Sequence, residues 1–586
     1  MTSQQRPGGK SRIFLAILTL LFTPLPARAA SLPAAESDTG MVVSAQRLAA
    51  EAGVEILRQG GNAVDAAVAV GYAEAVTNPC CGNIGGGGFL TARMADGRAF
   101  FLNFRETAPA AATRAMYLDA AGNPVRGASL FGWKAVAVPG TVLGLDTALQ
   151  RHGTLPRAAV MAPAIRLAHD GFVLTQADAD ILARGARLLR QDANAAGQFL
   201  RPDGSPHAAG DTLRQPALAA TLRAIADQGP DAFYTGAIPR AVEAAAKAGG
   251  GLITAADFAA YRVTESAPLT CAYRGYTILS APPPSSGGTT LCEMLNILEG
   301  YDLRAMGAGG AAAVHLMAEA MRLAFFDRNR FLGDPAFVRN PLDRLLSKDH
   351  AAALRARITD RATPSATLET AAEKPETTHF SVMDKDRNAV AVTYTINGGF
   401  GAGVIAGGTG FLLNDEMDDF TVRPGTPNLF GLVQGEANAI APGKRPLSSM
   451  TPTIVVKDGR TRMVLGSPGG SRIITTVAQV ILAMIDHDMA PQEAVDAPRI
   501  HMQGLPDILF VERRGLSPDT RALLTAQGYR IEEQPPWGAA ALIAAGFRRD
   551  AERAPGIDFS PARGQDGDRL LGAIDPRRPA GAALAP

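Results

Sequence analysis

Two hydrophobic rhythms succeed one another along the chain. After a strand-like Met41-Val42-Val43, apolar residues recur at helical spacing from Ala45 to about Gln59 and again up to about Thr77, with Gly60-Gly61-Asn62 breaking the run. Residues 140–350 read mostly as Ala-rich helices, with Val314, Met317, Met321 and Phe325 on one face and Pro282-Pro283-Pro284-Ser285-Ser286-Gly287-Gly288 as a rigid turn between them. Large apolar side chains almost vanish over residues 359–376. Such a stretch cannot bury itself and predicts an exposed, mobile linker. Period two then begins abruptly at Thr377. Polar and apolar residues alternate to Met383, turn through Asp384-Lys385-Asp386-Arg387-Asn388, and alternate again to Asn397.

Centring that turn on Asp386 sets Thr377 opposite Thr395 and His379 opposite Thr393. Alternation sends Phe380, Val382, Val390, Val392 and Tyr394 to one face and Thr377, His379, Ser381, Thr395 and Asn397 to the other. A second hairpin follows, Thr453-Ile454-Val455-Val456 returning through Met463-Val464-Leu465. Behind it come the loop Gly466-Ser467-Pro468-Gly469-Gly470 and a helix with the stripe Ile473, Ile474, Val477, Ile481, Met484 and Ile485. Gly469 and Gly470 thus stand at a helix N-terminus, where amides without intrahelical acceptors favour negative charge. On this pattern alone a plain strand-to-helix turn is the better reading. The run Gly82-Asn83-Ile84-Gly85-Gly86-Gly87-Gly88 lacks both the Lys-Ser/Thr of a phosphate loop and the spacing of a dinucleotide loop, and reads as backbone crowding in a core.

Composition narrows the function classes. The 586 residues carry 57 Lys+Arg against 56 Asp+Glu, a formal charge of +1, so no global field attracts nucleic acid or an anionic membrane face. Arg6, Lys10 and Arg12, a short apolar run over residues 13–22 and Ala27-Arg28-Ala29 form a secretory signal, residues 1–29, too short to span a bilayer. No later segment has 18 uninterrupted apolar residues, so the expectation is a protein exported across the inner membrane, periplasmic in a Gram-negative host. Four Cys cannot make a disulfide scaffold in so long a chain. Cys80 and Cys81 are too constrained to bond each other without strain, while a Cys271–Cys292 bridge and two small buried residues remain equal alternatives.

No H-E-x-x-H occurs among the eight His and no G-x-S-x-G nucleophile elbow is present, so the sequence implies no metal, no cofactor and no serine triad. What remains is a threonine opening a strand directly after a linker. A threonine hydroxyl is a weak nucleophile unless a base lies beside it, and a free α-amine with pKa about 8 is such a base once Glu376-Thr377 is cut. Taken singly, Thr377 and Thr395 are ordinary strand threonines, Glu416, Asp418 and Asp419 a solvated acidic turn, and Arg105 a surface charge.

Taken together, Phe104-Arg105-Glu106-Thr107-Ala108-Pro109, Pro375-Glu376-Thr377-Thr378-His379-Phe380-Ser381-Val382, Leu413-Asn414-Asp415-Glu416-Met417-Asp418-Asp419-Phe420, Arg445-Pro446-Leu447-Ser448-Ser449-Met450 and Gly466-Ser467-Pro468-Gly469-Gly470 resemble the gamma-glutamyltranspeptidase family. The resemblance runs in family order through the glycine cluster to Asp575-Pro576-Arg577. It implies an α+β fold, the four-layer αββα sandwich of the N-terminal nucleophile hydrolases, and self-cleavage into residues 30–376 and a catalytic subunit of residues 377–586 that stay together as a heterodimer. It implies that Thr377 is the nucleophile, that Thr395 orients its hydroxyl, and that Gly469 and Gly470 are oxyanion donors. Arg105, Ser448 and Ser449 would take the substrate α-carboxylate, and Asn397, Glu416 and Asp419 its ammonium; Asp418 receives no role. The substrates implied are glutathione and other γ-glutamyl compounds, with water, amino acids or peptides as acceptors. Residues 424–441 resemble the lid loop of bacterial members, with Phe430 where a tyrosine is often found.

Two rival readings stay in view. An acylase of the same family would take glutaryl or cephalosporin side chains, which lack the ammonium and would leave Glu416 and Asp419 uncompensated. A periplasmic amino-acid or peptide-binding protein would remain a single intact chain.

Overall fold

The computed structural model describes Thr2 and residues 31–365, 377–546 and 569–586. The leader, Glu376, the second half of the linker and the low-complexity residues 547–568 lie outside the described residues. Two seven-stranded sheets organise the rest. The first runs, in spatial order, Ala582–Leu584, Met41–Ser44, Thr378–Met383, Ala389–Thr395, Gly87–Arg93, Ala99–Phe104 and Thr264–Ser266. The second runs Ala35–Ser37, Leu570–Ile574, Ala541–Ala545, Arg460–Gly466, Thr453–Lys457, Tyr276–Ser280 and Leu269–Tyr273. Every neighbouring pair in both sheets is antiparallel.

Three stacked apolar zones define four layers. Met41, Val43, Met383, Ala389 and Ala391 from the first sheet meet Ile454, Val464, Ala541 and Ile543 from the second. The opposite face of the first sheet, with Phe380, Val382, Val390, Val392 and Tyr394, is covered by Arg47–Arg58, Ala63–Thr77 and Thr141–His152. The outer face of the second, with Val455, Met463 and Leu465, is covered by Gly287–Leu298, Ala311–Phe331 and Arg472–Ile485. The central strands, Met41–Ser44, Thr378–Met383, Ala389–Thr395 and Ala541–Ala545, bury both faces, which is why alternation sorts one core from another there rather than core from water. The order helix, sheet, sheet, helix is the expected αββα sandwich.

The hairpin register is as the alternation predicts: Thr378 pairs with Tyr394 and His379 with Thr393. The glycine cluster is crowded as expected. A Cβ on Gly86 would stand 1.9 Å from the Thr395 carbonyl oxygen, and one on Gly82 would stand 2.4 Å from Thr378 Cγ2.

Two expectations are corrected and one is completed. Residues 140–350 are mostly helical as expected, but Leu269–Tyr273 and Tyr276–Ser280 also form a hairpin that completes one edge of the second sheet. Its two-residue turn, Arg274-Gly275, holds both residues at positive φ, 46° and 79°, in the manner of a hairpin turn. The described start of the linker is tied down: Ala362 N–H donates to Gln527 O at 2.9 Å and Ser365 N–H to Asp507 Oδ2 at 2.8 Å, and Ser365 is buried. Finally, Cys80 and Cys81 are bonded to each other, in a turn that accommodates the eight-membered ring; Cys271 and Cys292 form the second disulfide. Among the described residues no helix is long and apolar enough to cross a membrane.

Candidate active site

The first hairpin delivers two hydroxyls to one point. Thr377 and Thr395 Oγ1 lie 3.3 Å apart, both buried. Thr395 Oγ1 also accepts the Asn397 N–H at 2.8 Å. Asn397 sits at φ 74°, so the chain turns sharply off the strand and its side-chain amide reaches Asp415 O at 3.1 Å. Behind the neighbouring Thr378, a carboxylate that sequence reasoning missed is sealed into the core. Glu74 accepts from Asn78 Nδ2 at 2.8 Å, from Thr378 Oγ1 at 3.2 Å and from Ser44 Oγ, and burial raises its pKa despite these bonds.

Around the threonines a cavity is lined by Arg105, Arg328, Asn397, Glu416, Asp419, Phe430, Ser448, Ser449 and Gly470. Ten of the residues singled out from sequence fall among the described ones, and all but Gly469 line this cavity. Glu376, the eleventh, lies outside the described residues.

Arg105 is wholly buried at the end of strand Ala99–Phe104, fixed by Nε donation to Pro446 O at 3.1 Å. Its Nη1 donates to Glu416 and its Nη2 to Asp419, with Glu106 a third carboxylate at 3.4 Å. The acidic turn is therefore not solvated, as its composition alone suggested. Glu416, Asp418 and Asp419 are all buried in a short 3-10 turn. Desolvation raises the carboxyl pKa values of Glu416 and Asp419, opposed in both cases by the Arg105 charge. Glu106, another residue sequence reasoning missed, is pushed up to about 7 by burial. Glu416 Oε2 is buried with no hydrogen-bond partner, an acceptor suited to a cationic donor. Asp418 holds structure instead: it accepts from Ser129 Oγ at 2.6 Å and from Leu429 N–H at 2.7 Å.

The serine side departs from expectation in one respect. Ser448 Oγ accepts from Met450 N–H at 3.1 Å, but the Ser449 hydroxyl is held by a second arginine, Arg328, whose Nη2 donates to it at 3.3 Å. Arg328 comes from the far helix layer and was not foreseen. Asp327-Arg328-Asn329-Arg330 at the end of Ala311–Phe331 has the composition of an ordinary charged helix terminus.

Gly469 and Gly470 precede Arg472–Ile485 at φ 135° and 56°, conformations that favour glycine. Gly470 packs directly under the Phe430 ring, where a Cβ would stand 2.4 Å from Phe430 Cδ1. Phe430 is buried, and its carbonyl accepts from Gln503 Nε2 at 3.1 Å. The segment carrying it therefore covers the cavity.

A model of the gamma-glutamyltranspeptidase family matches residues 49–584. The chain belongs to the gamma-glutamyltranspeptidase family. It is 51% identical over 560 residues to a glutathione hydrolase proenzyme of Pseudomonas sp. (strain A14), covering 95% of this chain and 96% of that one. It is 48% identical over 544 residues to the glutathione hydrolase proenzyme of Escherichia coli (strain K12), covering 92% and 90%. Among solved structures it resembles a cephalosporin acylase from Bacillus halodurans, with TM-score 0.80 and 28% identity, over 96% of this chain and 98% of that one. As a gamma-glutamyltranspeptidase family member, the chain brings its hydroxyl pair, its two arginines and its buried acids to one cavity.

Proposed function

We propose that this chain is a self-processing γ-glutamyltransferase and glutathione hydrolase whose nucleophile is Thr377. The observation that carries the reading is the adjacency of the Thr377–Thr395 hydroxyl pair to Arg105, Glu416 and Asp419 in one buried cavity. A γ-glutamyl group carries an α-carboxylate and an α-ammonium at fixed separation, and a pocket that sets Arg105 and Arg328 beside the carboxylates of Glu416 and Asp419 offers both kinds of charge.

In this scheme the exported precursor, freed of residues 1–29, cuts itself at Glu376-Thr377. Thr377 Oγ1 attacks the Glu376 carbonyl, the peptide bond becomes an ester, and water hydrolyses it. Residues 30–376 and 377–586 remain together as a heterodimer. The freed α-amine of Thr377 then acts as base. It takes the hydroxyl proton as Oγ1 attacks the γ-carbonyl, and that proton leaves on the departing amine as the C–N bond breaks. Thr395 orients the hydroxyl, and the amides of Gly469 and Gly470 meet the developing oxyanion. One such donor is worth about 3 kcal/mol in the transition state. The γ-glutamyl ester passes to water, giving glutamate, or to the amine of an amino acid or peptide. Export places this chemistry outside the cytoplasm, in the periplasm of a Gram-negative host.

Intact-mass measurement of the purified protein tests the scheme. The expected result is two fragments with a new N-terminus at Thr377, and one uncut chain for Thr377→Ala. Cleavage at the same bond in Thr377→Ala would remove self-processing. The acylase reading, which the Bacillus halodurans neighbour makes concrete, is decided by comparing γ-glutamyl and glutaryl anilides. Turnover of the γ-glutamyl compound should dominate, because a glutaryl chain offers Glu416 and Asp419 no ammonium.

A further inference from the structure

Away from the Thr377 cavity, three packed helices turn one side chain each toward a common point. Glu293 lies on Gly287–Leu298, Asp327 on Ala311–Phe331 and His350 on Lys348–Arg355. Their candidate ligand atoms all lie within 4.8 Å of one another. His350 Nε2 is 2.7 Å from Asp327 Oδ2 and 3.7 Å from Glu293 Oε1. Glu293 is 1% exposed, and its Oε1, aimed into the cluster, is buried without a hydrogen-bond partner. The side chains of Asp327 and His350 are 17% and 14% exposed, so the cluster opens to solvent on one side. None of the three lines the cavity around Thr377.

Two carboxylates and one imidazole leave a charge unaccounted for. Taking a carboxylate out of water costs several kcal/mol unless an opposite charge meets it. Even a protonated His350, already engaged by Asp327, supplies one positive charge against two negative ones. Arg344, the cation on the adjoining segment, acts on Glu293 only from a distance: it lies over the Phe331 ring at 4.4 Å and forms no ion pair among the described residues. The mixed nitrogen and oxygen set matches what zinc-like ions select, and it is short of the six to eight oxygens that Ca²⁺ requires. Metal–ligand bonds of about 2.0–2.2 Å set neighbouring donor atoms roughly 3–3.5 Å apart, so side-chain adjustment of about an ångström closes the cluster onto an ion.

We propose that Glu293, Asp327 and His350 form a binding site for a divalent transition metal of the Zn²⁺ or Co²⁺ type, with water completing its coordination. The ion clamps three helices of the outer layer and takes no part in the reaction at Thr377. The competing resolution of the same charge is a proton held between Glu293 and Asp327.

The test uses the untagged mature protein, stripped with chelator and titrated with Co²⁺. Wild type should bind one equivalent, with visible absorption bands that Zn²⁺ displaces, and Zn²⁺ should raise its thermal midpoint. Glu293→Gln and His350→Ala should each weaken Co²⁺ binding at least tenfold and abolish the Zn²⁺ effect on the midpoint. Retained γ-glutamyl turnover shows that the variants are folded; if His350→Ala does not fold, Asp327→Asn takes its place beside Glu293→Gln. Absence of saturable Co²⁺ binding by wild type, or undiminished binding by the variants, overturns the site and leaves the proton as the missing charge.

Discussion

Arg328 donates a hydrogen bond to Ser449 Oγ at 3.3 Å and joins the outer helix layer to the cavity wall. Its Nη1 also donates to Gln434 Oε1 at 2.7 Å and its Nε to Ser286 Oγ at 3.1 Å, so one buried guanidinium fixes the serine, the covering segment and the turn at Ser286. Arg328 is 1% exposed and has no carboxylate within ion-pair distance among the described residues. Burial lowers its pKa to about 10, which leaves it charged at neutral pH. Because Ser449 accepts from a cation, its own proton is free to point at a substrate carboxylate.

Arg328→Gln should therefore weaken substrate binding more than chemistry. A hydrogen bond to a charged group is worth about 1.5–3 kcal/mol, so KM for a γ-glutamyl anilide should rise roughly ten- to a hundredfold with a smaller change in kcat. On a 4-aminobutyryl anilide, which keeps the amine but lacks the α-carboxylate, the penalty should shrink to near unity. Equal losses on both substrates would make the residue merely structural.

Thr395→Val keeps the volume of the side chain and removes its hydroxyl. The Thr377 hydroxyl and the Asn397 amide each lose the hydrogen bond they make with Thr395, each loss costing about 1–3 kcal/mol. The appearance of the two fragments, followed by gel after expression, should slow at least tenfold, and kcat of whatever matures should fall similarly. Thr395→Ser should restore most of both. Unchanged processing in Thr395→Val would detach Thr395 from the nucleophile.

The fold was legible in the sequence wherever a period met a clear break. The hairpin register follows from centring a five-residue polar turn, and His379 meets Thr393 as counted, with Nδ1 2.7 Å from Thr393 Oγ1. Arg328 and Glu106 were not legible, because a charge that binds and a charge that is solvated look alike until the fold buries one of them. The Leu269–Tyr273 hairpin escaped because its outer strand is amphipathic, with only Leu269 and Tyr273 buried. Family resemblance supplied the grouping of Arg105 with Glu416 and Asp419, which lie more than three hundred positions apart. No local pattern contains that information.

Asp418 gives the protein a pH-dependent stability of definite sign. Burial raises its pKa from 3.8 to about 6, against the hydrogen bond from Ser129 and that from Leu429. Between roughly pH 4 and 6 the native state holds a proton that the unfolded state has released, so stability falls as pH rises through this window. A shift of this size corresponds to about 3 kcal/mol, as an order of magnitude. Thermal midpoints measured from pH 4 to pH 7 should decline more steeply in wild type than in Asp418→Asn, which has no proton to lose. Parallel profiles would show that Asp418 is ionised throughout.

Gly470 and Phe430 should prove coupled. A methyl group on Gly470 would meet Phe430 Cδ1 at 2.4 Å, and the backbone there stands at φ 56°, which costs a non-glycine residue about 1 kcal/mol. Gly470→Ala therefore carries two penalties, strain in the loop and displacement of the ring that covers the cavity. Phe430→Ala removes only the cover, admitting water and raising hydrolysis relative to transfer to an amine acceptor. In the Phe430→Ala background the clash is gone, so adding Gly470→Ala should cost less than it does in wild type, and the double variant should be more active than the product of the single effects. Rates of glutamate release and of acceptor transfer, measured for all four proteins, give the coupling directly. Strict additivity would mean that Phe430 does not rest on Gly470 during turnover and that the loss in Gly470→Ala comes from the loop backbone alone.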